Sequence, residues 1–189
     1  ADQPLPQRIL GRTGERVPIL GLGTATGGMG LDDADAVRLY ESAIDQGVTY
    51  LDTAPGYDRA QKQLGEILPR RRDEVFLVTK THTADRAEAI SKLEEALRDL
   101  CTDAVDLAYV HSMGHLDADQ VLSESGALAG LRECQKRGLT RYIGVTGHNL
   151  PHRVLQVLEE GDLDVIMVAL NFARPWRLPK TNWLPSPPS

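Results

Sequence analysis

The chain has 189 residues, which is the length of a single domain. Its 21 Lys and Arg against 27 Asp and Glu give a net charge of −6, and this balance offers no electrostatic reason to bind nucleic acid or an anionic membrane. The composition, 41% apolar and 25% charged, is typical of globular proteins and excludes a disordered chain. No apolar run reaches the roughly 20 residues of a membrane helix, and the N-terminus lacks the apolar core of a secretory signal, so we expect a soluble cytoplasmic protein.

The first predicted element is a short β-hairpin over residues 8–17, which lies outside the main sheet. Six short apolar runs rich in β-branched residues follow it. Most of them are continuously apolar rather than alternating, which is typical of parallel strands buried on both faces. The runs span residues 17–23, 48–52, 75–80, 105–111, 141–146 and 164–170.

Segments with helical periodicity separate these runs. Two of them, 34–46 and 87–100, repeat apolar residues every three or four positions. Asp85 and Glu88 predict a capping box at the start of the second. Glycines that end the predicted helices are Gly47, Gly138 and Gly161. The alternation of strands and helices predicts a parallel sheet with right-handed crossovers.

Two parallel architectures fit this order. A doubly wound sheet would hold a pyrophosphate at the glycine-rich turn 21–28. That turn misses the dinucleotide fingerprint by one residue, and the next strand-ending acid, Asp52, comes later than the expected distance of about 20 residues. A (β/α) barrel explains better why polar residues follow successive strands, because the carboxyl ends of its strands converge on one mouth. These residues are Asp52, Lys80, His111, Thr146 and Asn171.

Asp52, Lys80 and His111, together with Tyr57 in a loop, form a set suited to proton transfer. The ordinary pKa of a tyrosine is about 10, and a neighbouring ammonium lowers it. A carboxylate beside that ammonium keeps it charged and in place, and a histidine orients a carbonyl oxygen. General acid catalysis of this kind is worth about 10²–10⁴ in rate. The set contains no Ser or Cys nucleophile, so we expect a nicotinamide to supply a hydride.

Seven segments also occur in the order and spacing of a known family, between residues 8 and 172. They are LGRTGERVPILGLGT (10–24), LDTAPGY (51–57), LGE (64–66), VTK (78–80), DLAYVH (106–111), RYIGVTGHN (141–149) and ALNF (169–172). On these motifs the sequence resembles the aldo-keto reductase superfamily. The combination of LDTAPGY with a later TK and VH is far more specific than any one motif.

The resemblance implies a (β/α)8 TIM barrel that uses NADPH to reduce small-molecule aldehydes or ketones to alcohols. It implies that Tyr57 donates the proton, that Lys80 and Asp52 tune it, and that His111 orients the substrate carbonyl. The implied cofactor-binding positions are Gly23, Thr24, Thr146, Gly147, His148 and Asn171. The family's usual Ser-Asn pair is Thr146-Gly147 in this chain, so we expect altered contacts to the nicotinamide carboxamide.

The C-terminal part departs from the family pattern. Residues 1–173 are predicted to form an incomplete barrel domain of about six βα units, and 174–189 a Pro- and Trp-rich irregular tail. The family's last two βα units supply contacts to the cofactor phosphates, and six strands do not close an eight-stranded barrel. We therefore expect a shortened product, a fragment with an altered end, or a homo-oligomer in which a second copy completes the barrel.

Two other functions remain open at this stage. A catalytically silent relative would bind a partner, or assemble with itself, through the exposed sheet edge. A metal-dependent hydrolase would use His111 and His115 with His82 nearby. The sequence disfavours this second function, because His115 falls in a loop and no acidic ligand completes the set.

Overall fold

The computed structural model describes residues 4–169, and its main feature is a six-stranded parallel sheet. Each strand of this sheet pairs with the strand that follows it in the chain. The strands are β3 (Gly21–Gly23), β4 (Tyr50–Asp52), β5 (Phe76–Thr81), β6 (Val105–Val110), β7 (Thr140–Gly147) and β8 (Val165–Val168). This sequential order is that of a barrel wall, and it excludes the doubly wound alternative, whose strand order reverses at a switch point. The fold is therefore a partial (β/α)8 barrel, as predicted.

The predicted hairpin is confirmed, since β1 (Gln7–Ile9) pairs antiparallel with β2 (Arg16–Pro18). The predicted strand over 17–23 is wrong in one respect, because the structure divides this run between the hairpin and the sheet. The amide of Ile19 donates to the carbonyl of Pro6 at 2.9 Å, and its side chain is 62% exposed. This apolar run therefore does not form a single strand, because the chain passes within it from the hairpin to the parallel sheet.

Eight α-helices are found within residues 4–169. They are α1 (Ala25–Gly30), α2 (Asp33–Asp45), α3 (Ala60–Gly65), α4 (Leu68–Arg71), α5 (Arg86–Asp99), α6 (Ala118–Leu122), α7 (Ala127–Lys136) and α8 (Pro151–Glu160). The helices predicted over 34–46 and 87–100 are confirmed as α2 and α5. The short helix α1 lies in the glycine-rich segment where the sequence predicts a turn.

The start of α5 confirms one hydrogen bond of the predicted capping box and shows that the other is not formed. The carboxylate of Asp85 accepts a hydrogen bond from the amide of Glu88 at 2.9 Å, as the motif requires. The Glu88 side chain does not reach back to the Asp85 amide. That amide donates to the hydroxyl oxygen of Thr83 at 3.1 Å, and the Thr83 hydroxyl donates to Glu88 at 2.5 Å. Thr83 therefore bridges the two residues.

Two apolar layers lie on the two faces of the sheet. The larger layer packs the helices against the outer face, and a smaller cluster on the inner face contains Val17, Phe76, Val78, Leu107 and Tyr109. Strands β5 and β6 are buried throughout, whereas all four residues of β8 are half-buried. None of the helices in the described part of the chain is long and apolar enough to cross a membrane.

Candidate active site

The four residues predicted to transfer a proton meet at the carboxyl end of the sheet. Asp52 is the last residue of β4, Lys80 is the last but one of β5, and His111 directly follows β6. Tyr57 lies in the loop between β4 and α3. Parallel strands in adjacent positions direct these residues to the same mouth, as the barrel interpretation requires.

Lys80 is the centre of this group. Its side chain is almost fully buried, and its ammonium donates to Asp52 Oδ1 at 2.5 Å, to the Thr53 carbonyl at 2.9 Å and to the Tyr57 hydroxyl at 3.1 Å. The Nζ atom also lies 4.7 Å from the centroid of the Tyr57 ring. These three bonds use all three donors of the ammonium, which is how a buried charge is accommodated.

Asp52 is held in a poorly solvated position. Burial raises the pKa of Asp52 above its usual range, and the adjoining Lys80 ammonium opposes that shift. Among the described residues, Asp52 Oδ2 and Thr53 Oγ1 are buried side-chain oxygens without a hydrogen-bond partner. An unpaired buried acceptor is costly, so Oδ2 is suited to accept a hydrogen bond from a ligand hydroxyl.

His111 faces Tyr57 across the mouth. The two rings meet edge to face with their centroids 6.2 Å apart, and the His111 amide donates to the Thr81 carbonyl at 2.8 Å. The pKa of His111 is lowered to about 4, mainly by burial and to a smaller extent by the charges of Lys80, His82 and His148. The imidazole is therefore neutral near pH 7 and carries one N–H donor.

The predicted cofactor positions lie at the same end, with one outside the described residues. Thr24 is fully buried, and both its amide and its hydroxyl donate to the Asp52 carbonyl, at 2.9 and 3.0 Å. Thr146 Oγ1 accepts from the Ser112 amide at 2.9 Å. Thr24 and Thr146 thus connect neighbouring strand ends, whereas Gly23 and His148 are exposed and Gly147 ends β7. Asn171 lies outside the described residues, as does the whole tail 174–189.

A contact that the sequence analysis missed fixes the loop carrying Tyr57. Helix α1 packs directly on this loop, and a Cβ added at Gly28 would lie 2.0 Å from the Tyr57 carbonyl oxygen and 2.7 Å from the Ala60 Cβ. A Cβ at Gly27 would lie 2.2 Å from the hydroxyl of Tyr40. The adjacent glycines Gly27 and Gly28 are a sequence signal that another segment packs closely against the backbone, but they do not identify that segment.

Two other features lie near or opposite the mouth. The rings of His82 and His115 are 6.5 Å apart, yet within residues 4–169 no group of three or more His, Cys, Asp or Glu is arranged to hold a metal ion. A groove of about 610 Å³ at the amino ends of the strands includes Arg72, Asp106 and Arg141 in its lining. Its buried carboxylate, Asp106, is paired with both arginines.

A partial (β/α)8 barrel with Tyr, Lys, Asp and His at its mouth defines a class of barrel oxidoreductases. The sequence profile of the Aldo/keto reductase family matches residues 19–183. The chain belongs to this family.

Relatives and solved structures agree with this assignment. Aldo-keto reductase YhdN from Bacillus subtilis is 32% identical over 73% of this chain and 46% of its own length. NADPH-dependent codeinone reductase 1-1 from Papaver somniferum is 30% identical over 78% of this chain and 51% of its own. The structure of the thermostable aldo-keto reductase Tm1743, in complex with epalrestat, matches with a TM-score of 0.74 and 32% identity over 90% of this chain and 64% of that one. The chain spans about half the length of the curated relatives it matches.

Proposed function

We propose that this chain reduces an aldehyde or ketone to an alcohol with NADPH, and that Tyr57 donates the proton. The observation that carries the proposal is the Lys80 ammonium, which joins Asp52, Thr53 and Tyr57 in one hydrogen-bonded group. Family membership supports a nicotinamide-dependent carbonyl reduction. The similarity to an NADPH-dependent codeinone reductase supports NADPH as the nucleotide.

Each of the four residues has its own role in this reaction, which its position determines. The neutral His111 imidazole donates a hydrogen bond to the substrate carbonyl oxygen and sets its direction. The Tyr57 hydroxyl transfers its proton to that oxygen as negative charge develops there. The Lys80 ammonium, 3.1 Å from the hydroxyl oxygen, stabilises the phenolate that remains. Asp52 holds Lys80 in position and balances its charge.

The residues present fit a nicotinamide nucleotide. When bound, the nicotinamide supplies the hydride that the carbonyl carbon needs. The unpaired Asp52 Oδ2 accepts a hydrogen bond from a hydroxyl, and a ribose carries such groups. Gly23, Thr24, Thr146, Gly147, His148 and Asn171 remain the predicted cofactor contacts. The Thr146 hydroxyl, which already accepts from Ser112, keeps its own hydrogen available to donate.

The test is the loss of NADPH absorbance with a reactive aromatic aldehyde, for the 189-residue chain and its Tyr57→Phe variant. We expect turnover by the parent chain and a loss of about 10²–10⁴ in the variant, because the phenylalanine has no proton to donate. The matched control is Tyr142→Phe, since Tyr142 lies in β7 away from the mouth and bonds to Glu15 and Thr13. Absence of turnover in a folded parent chain would contradict the proposal, and so would equal turnover in Tyr57→Phe.

Self-association is a second candidate function, favoured by the two edges of the sheet. Among the described residues, β3 and β8 each pair with one neighbouring strand only, and β8 is half-buried. A parallel edge offers unpaired amides and carbonyls to another chain. In this candidate, a second copy of the chain pairs with these edges and completes the barrel. The measurement is the molar mass in solution as a function of concentration, with a concentration-independent monomer as the contradicting result.

A further inference from the structure

Histidines are concentrated at the mouth of this barrel. The chain has five histidines, and four of them contact or influence one another there. His82 follows β5, and its ring centroid lies 5.8 Å from that of His111 and 6.5 Å from that of His115. His82, His111 and His115 are referred to below as the histidine rim. Both His82 and His115 are exposed, and the rim contacts Tyr57 through the ring of His111.

The electrostatic surroundings of the histidine rim are basic. The groups that lower the pKa of His111, after burial itself, are Lys80, His82 and His148. All three are groups that carry positive charge when protonated, and each would be stabilised by a nearby anion. A negative charge placed at this mouth therefore stabilises the protonated form of each of these three side chains.

The acidic residues on the same loops are mostly engaged elsewhere. Asp52 is paired with Lys80, and Glu88 is bound by Thr83 and by Lys92. Asp117 accepts from the amide of Gln120 at 2.9 Å, as the cap of α6. Asp58, which is exposed beside Tyr57, is the remaining carboxylate of the Tyr57 loop. A chain with a net charge of −6 thus presents imidazole donors at its mouth.

We propose that the histidine rim selects carbonyl substrates that carry an anionic group. The inference rests on the proposed function, because the rim adjoins the Tyr57 hydroxyl at which the carbonyl is reduced. A neutral imidazole offers one N–H donor and a protonated imidazole offers two, so an anionic oxygen is a suitable partner.

The first experiment compares two aldehydes, 4-carboxybenzaldehyde and its methyl ester, at one fixed pH. The readout is the ratio of their kcat/KM values, because comparing this ratio between proteins cancels the different intrinsic reactivities of the two aldehydes. We expect the ratio of carboxylate to ester to be higher in the parent chain than in a chain without the two exposed rim histidines. It should fall about tenfold in His82→Gln with His115→Gln, which corresponds to one lost hydrogen bond to a charged group. His152→Gln, at an exposed histidine in the first turn of α8, is the matched control and should keep the parent ratio.

The second experiment measures binding without turnover. The histidine Cε1–H signals of the chain are followed by NMR during titration with 4-(hydroxymethyl)benzoate and, separately, with its methyl ester. We expect the benzoate to shift the signals of His82 and His115, which are assigned by their loss in the single variants. The ester should leave those signals in place.

The two experiments separate failure of this inference from failure of the proposed function. If the aldehydes are reduced but the double variant keeps the parent ratio, the inference is overturned and the reductase proposal stands. If no aldehyde is reduced but the benzoate still shifts the two signals, the anion site stands and the reductase proposal fails. If the benzoate and the ester shift the two signals equally, the rim does not distinguish charge and the inference is wrong.

Discussion

The buried ammonium of Lys80 determines the geometry of the proposed active site. It forms hydrogen bonds to one carboxylate, one carbonyl and one hydroxyl, and it is only 1% exposed. Removing one member of such a buried pair leaves the other charge without compensation, which costs more than the pair contributes. The same contacts therefore hold Tyr57 for chemistry and make the site sensitive to substitution.

A prediction for stability follows from this pair. Lys80→Met should lower the free energy of unfolding by about 3–5 kcal/mol, because Asp52 is left buried and unpaired. Adding Asp52→Asn to Lys80→Met should recover most of that loss, since the asparagine carries no charge. Urea unfolding of the parent, both single variants and the double variant provides the cycle. Additive losses in the double variant would show that the two side chains do not act as a pair.

The lowered pKa of His111 predicts that the stability of the chain depends on pH. Its pKa is about 4 in the folded chain and ordinarily about 6.5, so between these values the unfolded chain binds a proton that the folded chain does not. The free energy of unfolding should therefore fall as the pH decreases from about 6.5 to about 4. In His111→Gln this contribution disappears, so the advantage of the parent over the variant should shrink across that window. Urea titrations at pH 7, 6 and 5 measure it, and an unchanged difference between the two proteins would refute it.

At the scale of elements, the packing of α1 on the Tyr57 loop decides where the proposed proton donor lies. The backbone of α1 approaches this loop so closely that a methyl group at Gly28 overlaps the Tyr57 carbonyl oxygen. Arg59 adds a second attachment, because its guanidinium donates to the Leu31 carbonyl at 2.7 Å and pairs with Asp33 at 2.9 Å. The helix and the loop therefore act as one unit behind the site.

The substitution Gly28→Ala tests whether helix α1 and the Tyr57 loop act as one unit. The added methyl must displace α1 or the loop, so we expect a stability loss of about 1–3 kcal/mol from overpacking. A displacement of about 1 Å at Tyr57 would lower kcat by up to about 10²-fold. Gly30→Ala is the matched control in the same helix, because a Cβ there meets no atom within 4 Å. Equal kcat values for Gly28→Ala and Gly30→Ala would exclude the positioning role.

At the scale of the whole molecule, the two ends of the sheet have separate tasks. The carboxyl end carries the proposed proton-transfer group, whereas the amino end is held by Asp106 on β6. This carboxylate accepts from the Leu77 amide at 2.8 Å and pairs with Arg72 at 2.9 Å and Arg141 at 3.0 Å. Arg141 also pairs with Glu15 of the hairpin region. Asp106 thus links three strands and the hairpin region far from the chemistry.

Asp106→Asn should therefore reduce stability without changing the reaction. We expect the free energy of unfolding to fall by about 2–3 kcal/mol, which is the contribution of hydrogen bonds to a charged group. The loss is no larger because the two arginines are partly exposed and regain hydrogen bonds to water. Asp103→Asn, at an exposed carboxylate lining the same groove, should leave stability within about 0.5 kcal/mol of the parent. Thermal unfolding and the aldehyde assay are the measurements, and a large change of KM in folded Asp106→Asn would contradict the separation of the two ends.

Much of the architecture could be predicted from local patterns. The continuous apolar runs of β5 and β6 and the periodic stripes of α2 and α5 identified these elements, because burial on two faces or on one stripe leaves a direct mark on composition. The run over 17–23 failed because Ile19 and Leu20 are apolar yet exposed between two sheets. Helix α1 was missed because its formation depends on contacts with Tyr40 and Tyr57 and not on its own helix propensity.

The sequence by itself determined the family and the barrel class and pointed to the four residues of the proposed proton-transfer group, because strand-ending polar residues and motif order are properties of the chain alone. The tertiary structure decided how these residues meet. The three bonds of Lys80, the neutral state of His111 and the unpaired Asp52 oxygen all depend on distance and burial across different strands. The histidine rim likewise exists only because adjacent strands bring together residues that are far apart in sequence.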